Sequence, residues 1–274
     1  MSLTSFVNQR DVREKLKQEF PKPKFISKQE LLAPPLTKNY GLVGTAFDYL
    51  LRFYIKQINP QAIERYWVAE SSVNLLKRPG FNRLYEQGYL IVTQAREEYA
   101  KFLATQQLTD ELIRDSLLLA KLDAFFRAGK IDENLQTIDE KDVEDLRSLM
   151  SIVDANLFKS SGVVLLNPTF GLASALVGGA DGDLLIDDLL IDVKTTKELS
   201  LERETFNQLI GYYTLYTIDG IDGTPPQHEV KRLGIYFSRY AYLHIISVEN
   251  VINFSRFPQF LEWFRERANK KSIT

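Results

Sequence analysis

The chain has 274 residues, 45% hydrophobic and 26% charged, with a formal net charge of −2. That is ordinary globular composition, and no apolar run reaches the roughly 18–20 residues of a membrane span. Absence of cysteine excludes disulfides, thiolate metal sites and a cysteine nucleophile.

The opening "MSLTSFVNQRDVREKLKQEF" is charged and lacks the apolar middle of a signal peptide, so a cytoplasmic protein with no membrane partner is expected. Residues 1–40 read as a short helix followed by an irregular segment, because Pro21, Pro23, Pro34 and Pro35 interrupt any helix. Residues 41–160 are mainly helical. Phe47, Leu50, Leu51, Tyr54 and Ile58 recur at three- and four-residue steps. A second helix runs from an N-cap at Thr109 to a stop at Gly129, and a third spans Asp139 to Phe158.

The periodicity then changes. "GVVLLNP" and "ASALVGG" are short apolar runs bounded by Gly and Pro, with the glycines read as a turn between strands. "DLLIDDLLIDVK" is a hairpin turning at Asp187-Asp188, both solvated turn residues. Ser200 is placed as N-cap of a helix through "LERETFNQLIGYYTLYTI". "RLGIYFSRYAYLHIISV" supplies two strands, and residues 251–274 hold a C-terminal helix. This order predicts one α/β domain over 1–274, with a mixed-sheet core at 161–250 and a large helical insertion. A division near residue 160 is the alternative.

Chemistry concentrates on the hairpin. With the turn centred on Asp187-Asp188, Asp183 faces Asp192 and Asp181 faces Lys194. The two-residue alternation of a strand puts all four on one face. Like charges opposed at about 5 Å are destabilising, so folding gives no reason for this arrangement. A hard cation does, since Mg²⁺ is held by one or two carboxylates plus water and phosphate oxygens. The neighbouring ammonium can position a water or neutralise charge developing on phosphorus.

"GGADGDLLIDDLLIDVKTT" resembles the core of the PD-(D/E)xK nucleases, in which an Asp precedes a hairpin ending in Asp/Glu-x-Lys, here Asp192-Val193-Lys194. Either Asp183 or Asp181 can be the first acid, Asp183 being preferred. Gln208 and Tyr212, one helical turn apart, match the "QxxxY" pattern of the RecB-like branch, whose helix borders the DNA channel. "GTAFDYL" is similar to that branch's Gly-x-x-x-His, with Asp48 in place of the histidine. Asp48 is thus either a further metal ligand or an exposed acid on an amphipathic helix. The likeness covers residues 174–248 and 44–58. It implies a restriction-endonuclease-like αβββαβ core and Mg²⁺ or Mn²⁺ as cofactor. It further implies DNA phosphodiester hydrolysis by a metal-activated water, with Asp181, Asp183, Asp192 and Lys194 catalytic and Gln208 and Tyr212 at the DNA. A catalytically inactive binding protein on a retained nuclease fold is the alternative.

Other signals are weaker. A basic footprint for DNA must be local, with Lys15, Lys17, Lys22, Lys24, Lys28, Lys231, Arg232 and Arg239 as candidates. His244 sits in an apolar strand and reads as packed. No "GxxxxGK" occurs, so any helicase function would come from a protein partner.

Overall fold

The computed structural model describes residues 2–129 and 134–270. It is an α/β structure built on one mixed six-stranded sheet. In chain order the elements are α1 (Leu3–Val7), α2 (Arg10–Glu19), α3 (Tyr40–Ile58), β1 (Ile63–Glu64), α4 (Val68–Leu76), α5 (Asn82–Thr105), α6 (Asp110–Ala128) and α7 (Glu140–Ser151). They continue with β2 (Val164–Leu166), α8 (Ala173–Leu176), β3 (Leu184–Ile186), β4 (Leu189–Lys194), α9 (Arg203–Asp219), β5 (Arg232–Phe237), β6 (Tyr242–Ser247) and α10 (Phe257–Asn269). Strands lie in the order β1 to β6. The β1–β2 and β4–β5 pairs are parallel and the other three antiparallel.

Both faces of the sheet are covered. Val164, Leu166, Leu184, Ile186, Leu189 and Ile191 pack against the helical layer of α3 to α7. Leu165, Leu185, Leu190, Leu233 and Ile235 alternate with them in direction and pack against α1, α2, α9 and α10. This double burial is why the strands read as continuous apolar runs. Helix α3 is sandwiched too: Tyr49, Phe53 and Ile55 are buried along with Phe47, Leu50 and Leu51, so it is apolar nearly all round.

Several expected boundaries hold for physical reasons. Thr109 accepts a hydrogen bond from Leu112 N, and Gly129 closes α6 in the left-handed region. Asp139 caps α7 as expected, but the helix stops at Ser151 instead of reaching Phe158, a separate 3₁₀ turn following over Ala155–Leu157. Others shift. The N-terminal segment holds two helices rather than one. "ASALVGG" forms the one-turn α8 before its glycine turn. Glu202, not Ser200, caps α9, because the Ser200 hydroxyl is bound to the Glu202 carboxylate instead of a backbone N–H. Of the expected C-terminal helix, residues 271–274 lie outside those described.

Helix α6 carries a buried acid with a testable consequence. Asp115 is almost fully buried. One oxygen accepts from Gln94 Nε2 at 3.0 Å while the other has no partner. Burial, reinforced by Glu98 and Glu111, pushes its pKa up to about 7. The folded chain therefore holds this proton more tightly than the unfolded one, and stability drains as pH climbs from about 4 to 7. Asp115→Asn should raise stability by about 1–3 kcal/mol at pH 8 and by nothing near pH 4, read by urea denaturation at both values. Equal effects at the two pH values would count against this assignment.

Candidate functional site

The hairpin register places the acids. Leu184 pairs with Ile191 and Ile186 with Leu189, the alignment that sets Asp183 opposite Asp192. Regular pairing stops at Leu184, and the Asp183 side chain continues it, accepting the Val193 N–H at 2.6 Å. Asp192 and Lys194 point to the α9 side of the sheet, in step with Leu190. This is no exposed edge: β3 and β4 are the central strands and Asp192 is only 1% exposed.

Lys194 is held from two sides. Its Nζ forms an ion pair with Asp192 Oδ2 at 2.8 Å and donates to Gln208 Oε1 at 3.2 Å. Gln208 in turn donates through Nε2 to the Tyr212 hydroxyl at 2.8 Å. Tyr212 is buried, its ring stacked on Phe170 with centroids 5.5 Å apart. The expectation that Gln208 and Tyr212 together face a channel therefore needs correction. Only Gln208 is part-exposed, while Tyr212 lies in the core and orients Gln208, which orients the lysine.

Asp48 joins from the other layer. Near Gly44, α3 runs so close to β4 that a Cβ on that glycine would stand 3.7 Å from the Thr195 Cβ. One turn on, Asp48 accepts from Arg52 at 2.8 Å through Oδ2, while its buried Oδ1 has no hydrogen-bond partner. It is not the exposed acid of an amphipathic helix. Arg52, itself buried, lies over the Tyr49 ring, and the Tyr49 hydroxyl donates to Asp123 Oδ1 at 2.7 Å. Sequence reasoning missed Arg52, although its four-residue spacing from Asp48 was a legible signal.

Electrostatics tie the group together. Burial, then Asp192 and Asp48, hold the Asp183 carboxyl well above the usual carboxylate range. Burial and Asp48 raise Asp192 against the pull of Lys194. For Lys194, burial alone would favour the neutral amine, but Asp192 and Asp183 outweigh it and raise its pKa. The lysine is thus a permanent cation at neutral pH, suited to stabilising negative charge and unsuited to act as a base.

The Asp181 backbone bridges to Thr169, and its charge acts on Tyr212. Of the two candidate first acids, Asp183 is the one that meets Asp192. Among the described residues no set of three or more His, Cys, Asp or Glu side chains is drawn together as a ready-made metal cage. The four-acid ligand set of Asp48, Asp181, Asp183 and Asp192 is therefore not assembled as such. The buried Asp48 Oδ1, which no hydrogen bond satisfies, and the neighbouring Asp183 and Asp192 carboxylates nevertheless suit a hard cation resting on one or two carboxylates, with water and phosphate completing its shell.

The remaining candidates disperse. Arg239 is buried against Asp145, Arg232 pairs with Asp188, Lys231 with Glu229 and Lys15 with Glu19. Of these four, Arg239 is closed to any phosphate, while the others are paired at the surface. Asp187 accepts from the Ser160 hydroxyl in the turn, so neither turn acid is idle. His244 packs edge-on against Phe25, and burial lowers its pKa. A cavity of about 580 Å³, lined by Asp188, Glu229, Arg232 and Phe254, opens at the start of β4, the end opposite Lys194. Among the described residues no helix is long and apolar enough to cross a membrane. Comparison with protein-family models, curated proteins and solved structures returns no match.

Proposed function

We propose that this protein is a Mg²⁺- or Mn²⁺-dependent deoxyribonuclease of the PD-(D/E)xK type, RecB-like in its QxxxY helix. The reading rests on one observation above all. Lys194 is pinned between Asp192 and the Gln208–Tyr212 pair, with Asp192 and Asp48 both close enough to perturb the Asp183 carboxyl. The element order supports it: α3, then the antiparallel β2–β3–β4, then α9 and the parallel β5, read as the αβββαβ core. Helices α4 to α7, between β1 and β2, would be the insertion.

Asp183 and Asp192, with Asp48 beside them, are the residues that would hold the cation. When bound, it would polarise the scissile phosphate and lower the pKa of a coordinated water. Lys194 offers a fixed positive charge where negative charge grows on phosphorus, and Gln208 limits its motion. Tyr212 and Phe170 keep that helix face rigid. A purified sample should cut DNA with Mg²⁺ or Mn²⁺ and stop with EDTA, assayed on linear and circular, single- and double-stranded DNA. No metal-dependent cleavage of any of the four would favour a binding protein on the same scaffold.

Metal should also stabilise the fold. Carboxyls with raised pKa values give up protons to the cation, so the effect should grow as pH rises. A cation at ten times its Kd adds about 1.4 kcal/mol, a rise in Tm of a few degrees for a chain this size. Asp192→Asn should lose the rise. An equal shift in that variant would move the metal elsewhere.

A further inference from the structure

A cavity of about 290 Å³ lies where the loop before β3 meets the helical layer. Tyr66, from the connection between β1 and α4, and Phe126, from α6, belong to its wall. They are 64% and 49% exposed, and neither packs on another ring among the described residues. Large aromatics left open in a concave site are the usual platform for a flat, weakly hydrated partner.

The polar groups of the cavity point to the same partner. Asn167 is nine-tenths buried, at a positive φ of 55°, and its side-chain amide bonds to no other described residue. Its backbone N–H donates to the Asp183 carbonyl at 3.0 Å, so the cavity residue is tied through the backbone to the segment that carries the candidate metal ligand. Asp181 lines the same space. The unspent Asn167 amide, a donor and an acceptor, suits the hydrogen-bonding edge of a neutral base, whereas the Asp181 carboxylate repels a phosphate. At the rim, Arg65 lies 3.5 Å from Asp222, where it can also meet a phosphate of the same strand.

We propose that this cavity takes one unpaired base of a single-stranded DNA substrate, stacked on Tyr66 and Phe126 and edged by Asn167. Paired bases in a duplex have both faces covered and cannot enter. The inference rests on the nuclease reading for its substrate and adds strand preference to it. Stacking on aromatic side chains is tolerant of sequence, so the preference is for single strands and not for a particular base.

The test is fluorescence anisotropy at low salt in EDTA, using a short labelled oligonucleotide of mixed sequence and its blunt duplex. The single strand should bind more tightly than the duplex. Tyr66→Ala and Phe126→Ala should each weaken single-strand binding by about five- to a hundredfold and leave duplex binding and Tm unchanged. Tyr66→Phe should restore binding, and Phe254→Ala, an exposed ring at the far end of the sheet, should have no effect. Equal loss on both substrates, or no loss, overturns the proposal. Because EDTA removes hydrolysis, the two ideas fail separately. Selective single-strand binding without any metal-dependent cleavage sinks the nuclease and keeps the pocket, while cleavage with unimpaired Tyr66→Ala and Phe126→Ala binding sinks the pocket alone.

Discussion

Lys194→Ala should reduce metal-dependent DNA cleavage by at least about 10²-fold, the usual cost of losing one group that stabilises charge in a transition state. Asp192→Asn should do the same. The two losses should differ in kind: Asp192→Asn removes a metal oxygen and the thermal shift with it, whereas Lys194→Ala should keep the shift and lose the rate. The fold should survive Lys194→Ala, because the side chain is about one-third exposed and Gln208 can turn to water. Asp192, freed of its cation, would then hold its proton still more firmly. With its pKa raised, Lys194 stays charged throughout the neutral range. The wild-type rate should therefore show no gain from lysine deprotonation between pH 7 and 9. A Lys194→Ala protein, free of host nucleases and cutting at the wild-type rate, would refute the site.

What the sequence made legible was local. The turn at Asp187-Asp188 and the alternation around it fix the register, and Asp183 does stand opposite Asp192. Thr109 and Gly129 announce both ends of α6 because capping depends on a few neighbouring residues. Tertiary context stayed hidden. "LLIDVK" looks like a strand with one polar face, yet α9 covers that face and Asp192 is interior. β1 is two residues long and exists only through pairing with Leu165 and Leu166, so no periodicity could reveal it. Tyr212 looked like a substrate contact because its spacing from Gln208 puts both on one face. Spacing cannot say that Phe170 lies across that face. Asn167 carries no local signal of function, since its interest comes from a neighbouring cavity whose aromatic wall lies far away in sequence.

Arg239 shows the same limit and carries the largest stability effect expected in the molecule. In the sequence it sits among candidates for a phosphate-binding patch. In the structure its guanidinium is 1% exposed and bidentate to Asp145, at 2.7 and 3.0 Å, with a further bond to the Ala33 carbonyl at 2.9 Å. The Arg239 carbonyl accepts from Leu32 and Ala33, and Leu36 N donates to Asp145. One buried pair thus joins α7, the proline-rich segment after α2, and the turn between β5 and β6. Asp145→Ala leaves a guanidinium buried without its counter-charge and should cost about 3–5 kcal/mol, measured by urea denaturation. Removing both charges with Asp145→Leu and Arg239→Met should recover most of that loss, because the pair repays little more than its own desolvation. The cycle should yield a coupling of several kcal/mol, while the salt dependence of DNA binding stays unchanged in the double variant, Arg239 having no access to phosphate. A cost below about 1 kcal/mol for Asp145→Ala would mean that this pair is solvated in solution, and a reduced salt slope would return Arg239 to the DNA-binding surface.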